Sequence, residues 1–228
     1  MCGRVALFSP PSRVARLTHA LESLDTASWR PSWNLPPQRP LFVLRNVDDQ
    51  RHLYLHQWGL VPGWSKNSSS GARLANARAE TVAEKPSFRH AFVERPCVLP
   101  VDGYYEWRVD PHGAKLPHYF TRRDGDLLLL AGLFERWRDP RSGEELVTCC
   151  VITTAPSEDV VAVHDRMPLI LDPDDLDAWL LGDASIRQTL LRTAPPGTVQ
   201  HHEVSRRVNS VRFDDPDLIQ PESTASLF

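Results

Sequence analysis

Apolar residues in this chain come only in short runs, the longest being the eight mostly apolar residues 127–134. A membrane-spanning helix needs about 20 such residues, so none is predicted. Runs this short, separated by Gly, Asp or Pro turns, read as strands. Strands are predicted over residues 41–45, 53–58, 98–101, 104–108, 119–121, 127–133 and 147–153, with a turn at 47–51 joining the first two. Val14, Leu17, Leu21 and Leu24 at helical spacing behind Ser12 predict a helix over 12–24. Shorter helices are predicted over 174–181 and 186–191. Prolines predict an ordered irregular loop over 30–40. Serines make 66–71 a predicted mobile flap, and the polar tail beyond Asp214 is expected to be loosely held.

The strands do not alternate with helices as βαβ units require, no internal repeat is visible, and the 20 prolines are scattered with no linker among them. The expected fold is a single α+β domain over residues 1–220: a strongly bent or barrel-like, mostly antiparallel sheet flanked by a few helices. Residues 221–228 read as a polar C-terminal tail. With 228 residues, 41% hydrophobic and 24% charged, the chain can bury a real core and is no disordered or collagen-like polymer. No apolar signal segment follows Met1, which predicts an intracellular, cytoplasmic protein. Its four cysteines, at 2, 97, 149 and 150, lack zinc-ligand spacing and are expected as reduced thiols. No metal or cofactor is expected. Cys149 and Cys150 should face opposite sides of a core strand.

The net charge of -3 hides an asymmetry, with +6 on residues 1–125 and -9 on the remainder. The basic half is nearly all arginine, because Lys66, Lys85 and Lys115 are the only lysines. Arginine is the better phosphate fork, and a modest basic region fits a local polyanion site better than a broad DNA-coating surface.

Cys2 is the most informative single position. A small second residue favours removal of Met1, and the mature chain would then begin with an α-amine and a thiol on adjacent carbons. Such a 1,2-aminothiol condenses with an aldehyde to a five-membered thiazolidine. The α-amine titrates near about 8, against about 10.4 for lysine, so its reactive fraction at neutral pH is roughly two orders of magnitude larger. Ring closure by sulfur traps the imine that water would otherwise hydrolyse.

Cys2 does not stand alone. Met1-Cys2-Gly3-Arg4 is followed by Trp58-Gly59-Leu60-Val61-Pro62-Gly63-Trp64 and by Asn76-Ala77-Arg78-Ala79-Glu80-Thr81. Further on come Pro100-Val101-Asp102-Gly103-Tyr104-Tyr105-Glu106-Trp107 and His164-Asp165-Arg166-Met167-Pro168, then Val204-Ser205 with Val208-Asn209. In this order they closely resemble the SRAP family (SOS-response-associated peptidase, the abasic-site-shielding proteins), from Met1 to about Gln220. The resemblance implies covalent trapping of abasic sites in single-stranded DNA through Cys2, with slow self-reversal. It also implies that Asn76, Glu106 and His164 complete the active site and that Arg4, Arg78 and Arg166 hold phosphates. The family's Tyr-Asn-x-Ala-Pro loop is here Trp33-Asn34-Leu35-Pro36-Pro37, and Ser65 stands where some members have a second tryptophan.

The residues suit that chemistry. Opening the closed sugar to its aldehyde moves a proton between ring oxygen and hydroxyl. Glu106, beside two aromatics, would be desolvated, raised in pKa and able to act as acid and base. His164 can shuttle protons near neutrality, and Asn76 offers donor and acceptor to the Cys2 amine or the opened sugar. Each of Cys2, Asn76 and His164 has an arginine two residues on. Trp64 with Pro37 could form a wedge that stacks on a base, whereas Trp33 and Trp58 read as core. No base-reading motif appears, so binding should ignore sequence, and single strands spare the cost of unstacking. The expected partner is single-stranded DNA with an abasic site, with no membrane, no obligate protein partner and a monomeric state. The alternatives are an N-terminal-nucleophile cysteine peptidase, with autocatalytic loss of Met1, a noncatalytic single-strand-binding module, and a β-elimination lyase acting through Lys66, Lys85 or Lys115.

Overall fold

The computed structural model describes residues 2–222, so Met1 and residues 223–228 of the predicted tail lie outside the described residues. The strands run β1 (Val5–Leu7), β2 (Leu21–Glu22), β3 (Ser32–Leu35), β4 (Pro40–Val47), β5 (Gln50–Trp58) and β6 (Asn76–Arg78). They continue as β7 (Pro96–Val101), β8 (Gly103–Val109), β9 (Lys115–Arg122), β10 (Leu128–Arg138), β11 (Glu145–Thr154), β12 (Met167–Pro168) and β13 (Val199–Glu203). Four short helices are α1 (Pro11–Thr18), α2 (Arg89–Glu94), α3 (Leu176–Leu181) and α4 (Ala184–Thr189).

Strands β11, β10, β7, β4 and β5 pair in that order, and β11 returns to pair in parallel with β5 at Thr148↔Gln57 and Cys149↔Trp58, closing a barrel. The other four barrel pairings are antiparallel. A second, antiparallel sheet has the order β13-β9-β8-β1-β3. The chain is thus α+β, with closure removing the barrel's exposed edges. Alternation separates the two largest of the three core clusters. Cys149 joins Phe42, Trp58 and Leu99 of the barrel to Tyr104 and Phe120 of the second sheet. Cys150 points the other way, with Leu44, Val98 and Ile152, against Phe92 of α2 and Trp179 of α3. All four cysteines are free thiols.

The predicted strands all form, several of them longer than expected. Other expectations need correction. The helix over 12–24 stops at Thr18, where His19 adopts a left-handed φ of 51° and its amide caps the Ala15 and Arg16 carbonyls. Leu21 then pairs with β5 and Leu24 is 96% exposed, so their helical spacing buried no stripe. The loop over 30–40 contains β3, because Pro31 and Pro36 bracket those four residues without interrupting them. Part of the predicted flap is ordered locally: Ser68–Arg73 is a 3-10 turn, and a Cβ on Gly71 would lie 2.7 Å from the Gly59 carbonyl oxygen, while residues 66–69 are exposed. The segment beyond Asp214 is held as far as residue 222, through buried Leu218 and a bridge from Pro221 to Val204. Trp58 is core as expected, whereas Trp33 is half-buried and stacks on Phe8 with ring centroids 5.8 Å apart.

Candidate functional site

β1 pairs with β8 at Val5↔Tyr104, and the Tyr105 amide donates to the Arg4 carbonyl at 2.9 Å. This pairing lays residues 2–4 along β8, toward Glu106. Cys2 is fully buried. Burial pushes its thiol up, the Glu106 charge adds to the effect, and a hydrogen bond from the Arg4 backbone opposes it. Glu106 is 2% exposed, and burial pushes its carboxyl up to about 7. A carboxyl that titrates there is poised to give or take a proton at neutral pH.

Two further residues arrive from the barrel side. β6 pairs in parallel with β11 at Val151↔Asn76, and β12 pairs with β11 at Thr153↔Pro168 and Thr154↔Met167. β11 therefore supports Asn76 directly and His164 three residues before β12. Asn76 Nδ2 donates to the Cys2 carbonyl at 2.6 Å, while Asn76 Oδ1 is buried without a hydrogen-bond partner among the described residues. His164 Nε2 lies 3.6 Å from Glu106 Oε2. The Arg166 backbone amide donates to His164 Nδ1 at 3.0 Å, which makes Nδ1 an acceptor and puts the neutral ring's proton on Nε2, facing Glu106. Asp165 Oδ1 also approaches Nδ1 at 3.0 Å, but its carboxylate is an acceptor and attracts Nδ1 only in the protonated ring. The backbone fixes the direction of the Arg166 N–H, so Nδ1 accepts from it in the neutral ring. Burial lowers the His164 pKa, which favours that neutral form. Cys2, Asn76, Glu106 and His164, far apart in sequence, thus converge where the barrel meets the second sheet.

The three arginines differ. Arg78 is exposed at the end of β6. The half-buried Arg4 guanidinium lies over the Trp107 ring, 5.9 Å from its centroid, and Nη1 donates to Asn34 and, at 2.8 Å, to the Val208 carbonyl, tying β3 and the 206–209 turn to β1. Buried acceptors thus claim part of its fork. Arg166 grips the Glu80 carboxylate with both terminal nitrogens and also donates to the Thr153 carbonyl at 2.6 Å. Trp64 is 69% exposed and lines a cavity of about 430 Å³ with Pro62, Lys66 and Arg73; Pro37 does not line it.

A cavity of about 520 Å³ opens onto Glu106 and His164 and is also lined by Trp107, Val109, Lys115, Val163 and Asp165. Tyr104, whose hydroxyl is buried without a partner among the described residues, is a further neighbour of the Cys2 thiol. Sequence reasoning assigned no role to Tyr104 or Trp107, and Lys115 entered it only as one of three candidate lysine nucleophiles. The signal for Tyr104 was its i-2 relation to Glu106, which puts both on one face of β8. Among the described residues there is no group of three or more His, Cys, Asp or Glu side chains that could hold a metal, and no helix long and apolar enough to cross a membrane.

Comparison with known proteins finds relatives along nearly the whole chain. The model of the family "SOS response associated peptidase (SRAP)" matches residues 1–211. The chain is 37% identical to the abasic site processing protein YoqW of Bacillus subtilis (strain 168), over 96% of this chain and 99% of that one. It is 33% identical to the abasic site processing protein HMCES of Gallus gallus, over 97% of this chain and 78% of that one. The crystal structure of a protein from Bacteroides thetaiotaomicron, 23% identical, superposes with a TM-score of 0.88 over 97% of this chain and all of that one, which shows the shared fold. With the family model matching residues 1–211, the chain belongs to the SRAP family.

Proposed function

We propose that the protein processes abasic sites, capturing the lesion in single-stranded DNA as a thiazolidine on Cys2 once Met1 is removed. The observation that carries this reading is the convergence of Cys2, Asn76 and His164 on a Glu106 carboxyl that burial pushes up to about 7. Related chains bear the name abasic site processing protein. In the proposed sequence, Glu106 gives its proton to the ring oxygen and takes up the proton of the anomeric hydroxyl as the sugar opens to its aldehyde. The Cys2 amine adds to that carbon, the carbinolamine loses water to give the imine, and the S–H adds across the C=N bond. One water is released overall, and the same groups run the path backward to free the DNA. Asn76 holds the Cys2 carbonyl and presents a buried oxygen able to accept from the amine. His164, with its Nε2 proton facing Glu106, relays protons. Arg78 presents a full fork to phosphate. Arg4 and Arg166 contribute the donors left over from their internal bonds, and Trp64 and Pro37 wall the strand on separate surfaces. No step needs a base edge, so capture is independent of sequence.

An N-terminal-nucleophile peptidase would turn the same Cys2 thiol on a peptide carbonyl and release a cleaved peptide instead of holding DNA. Intact-mass measurement with an abasic single-stranded oligonucleotide separates the readings. The wild type is expected to gain the oligonucleotide mass less one water. Cys2→Ala, or an N-terminal extension that cannot be removed, is expected to gain nothing. An adduct of unchanged yield in either variant would overturn the proposal, and Cys2-dependent cleavage of casein without an adduct would favour the peptidase.

A further inference from the structure

We propose that Lys115 is the phosphate-docking cation of the cavity holding Glu106 and His164, and hence a positioning residue for the capture reaction proposed above, on which this inference rests. Among the residues lining that cavity the ionisable groups are Glu106, His164, Asp165 and Lys115. Two are acids, and burial biases His164 toward its neutral form. The Asp165 side chain is 90% exposed, so an entering phosphodiester meets its charge directly. Lys115 is the one lysine or arginine lining the cavity, and it offsets that repulsion.

Two of the three arginines assigned to phosphate are partly committed elsewhere, and none of the three lines this cavity. Arg4 bonds Asn34 and Val208, and Arg166 holds Glu80 and Thr153. Lys115 is exposed at the first position of β9, paired with Val109, another residue of the cavity wall. Its backbone is fixed by the hairpin tip before it. The Asp110 amide donates to the Ala114 carbonyl at 2.9 Å, and Asp110 Oδ1 accepts from the His112 and Ala114 amides, each at 2.8 Å. Gly113 makes the turn with φ +82°. A rigid base under a flexible four-carbon stem suits a compact charge that follows a phosphate as the sugar is drawn in.

The test measures noncovalent binding by fluorescence anisotropy in the Cys2→Ala background, with a single-stranded oligonucleotide carrying a tetrahydrofuran abasic analogue. Adding Lys115→Gln is expected to weaken binding roughly three- to fivefold. It should also reduce the slope of log K against log salt by about 0.7, and Lys115→Arg should restore both. With Cys2 intact, Lys115→Gln is expected to raise the half-saturating DNA concentration and leave the crosslinking rate at saturation unchanged. Unchanged affinity and salt slope in Lys115→Gln would overturn the inference. So would a borohydride-trapped adduct in the Cys2→Ala protein that Lys115→Arg removes, because Lys115 would then be a nucleophile. Absence of any Cys2-dependent adduct in the wild type would sink the capture reading instead, and the anisotropy arm is read independently of it.

Discussion

Replacing Glu106 with Gln removes a buried proton-binding site while keeping the shape of the side chain. Folding raises this carboxyl from its ordinary 4.5 to about 7. At 1.36 kcal/mol per pH unit, that difference corresponds to about 3 kcal/mol. Between those two values the folded chain keeps the proton that the unfolded chain releases. The wild type therefore loses stability as pH rises from 4.5 toward 7, and the loss is complete above 7. Glu106→Gln does not titrate, so its stability relative to the wild type should climb by about 3 kcal/mol from pH 4 to pH 8. For a chain of this size that is a relative Tm gain of roughly 6–12 °C. Thermal denaturation of both proteins across this range, read as the difference at each pH, reports the carboxyl together with the groups that face it, His164 and Cys2, and cancels the distant ones. A difference that stays flat, or that grows toward acid, would refute the claim that burial holds Glu106 protonated. The same variant should lose capture of abasic DNA, as expected where a site stores instability for function.

Two further outcomes follow from particular contacts. Gly132 sits in β10 where a Cβ would lie 2.1 Å from Leu99 Cδ1 and 2.6 Å from the Cys150 carbonyl oxygen, so Gly132→Ala should destabilise the barrel by roughly 2–3 kcal/mol, measured by urea denaturation. Arg78→Ala should flatten the salt dependence of single-strand binding by about 0.7 in slope and leave the Tm within about 1 °C, since the side chain is exposed.

Much of the strand content was legible because apolar alternation and turn residues are local signals. The paired faces of Cys149 and Cys150 follow from the same period. The closure of β11 on β5 was not legible, because a parallel pairing between residues some 90 positions apart leaves no local trace. The helix predicted to reach residue 24 failed for a related reason: Leu21 and Leu24 have the right spacing, but the left-handed turn at His19 directs them to the surface. At the site, the aminothiol logic of Cys2 and the neighbours of Glu106 could be read from residue type. What Arg4 and Arg166 touch could not, because Asn34, Val208 and Glu80 reach them only through the tertiary fold.

Strand β11 is bonded to β10, β12, β5 and β6, so it is embraced on both edges. The ring's keystone is therefore also the bracket from which Asn76 and His164 hang. A chain built this way has no means of loosening its reaction chamber without dismantling its frame. Lesions in that bracket will register as missing protein before they register as an idle one, and tolerance to change should lie with the outer hairpins.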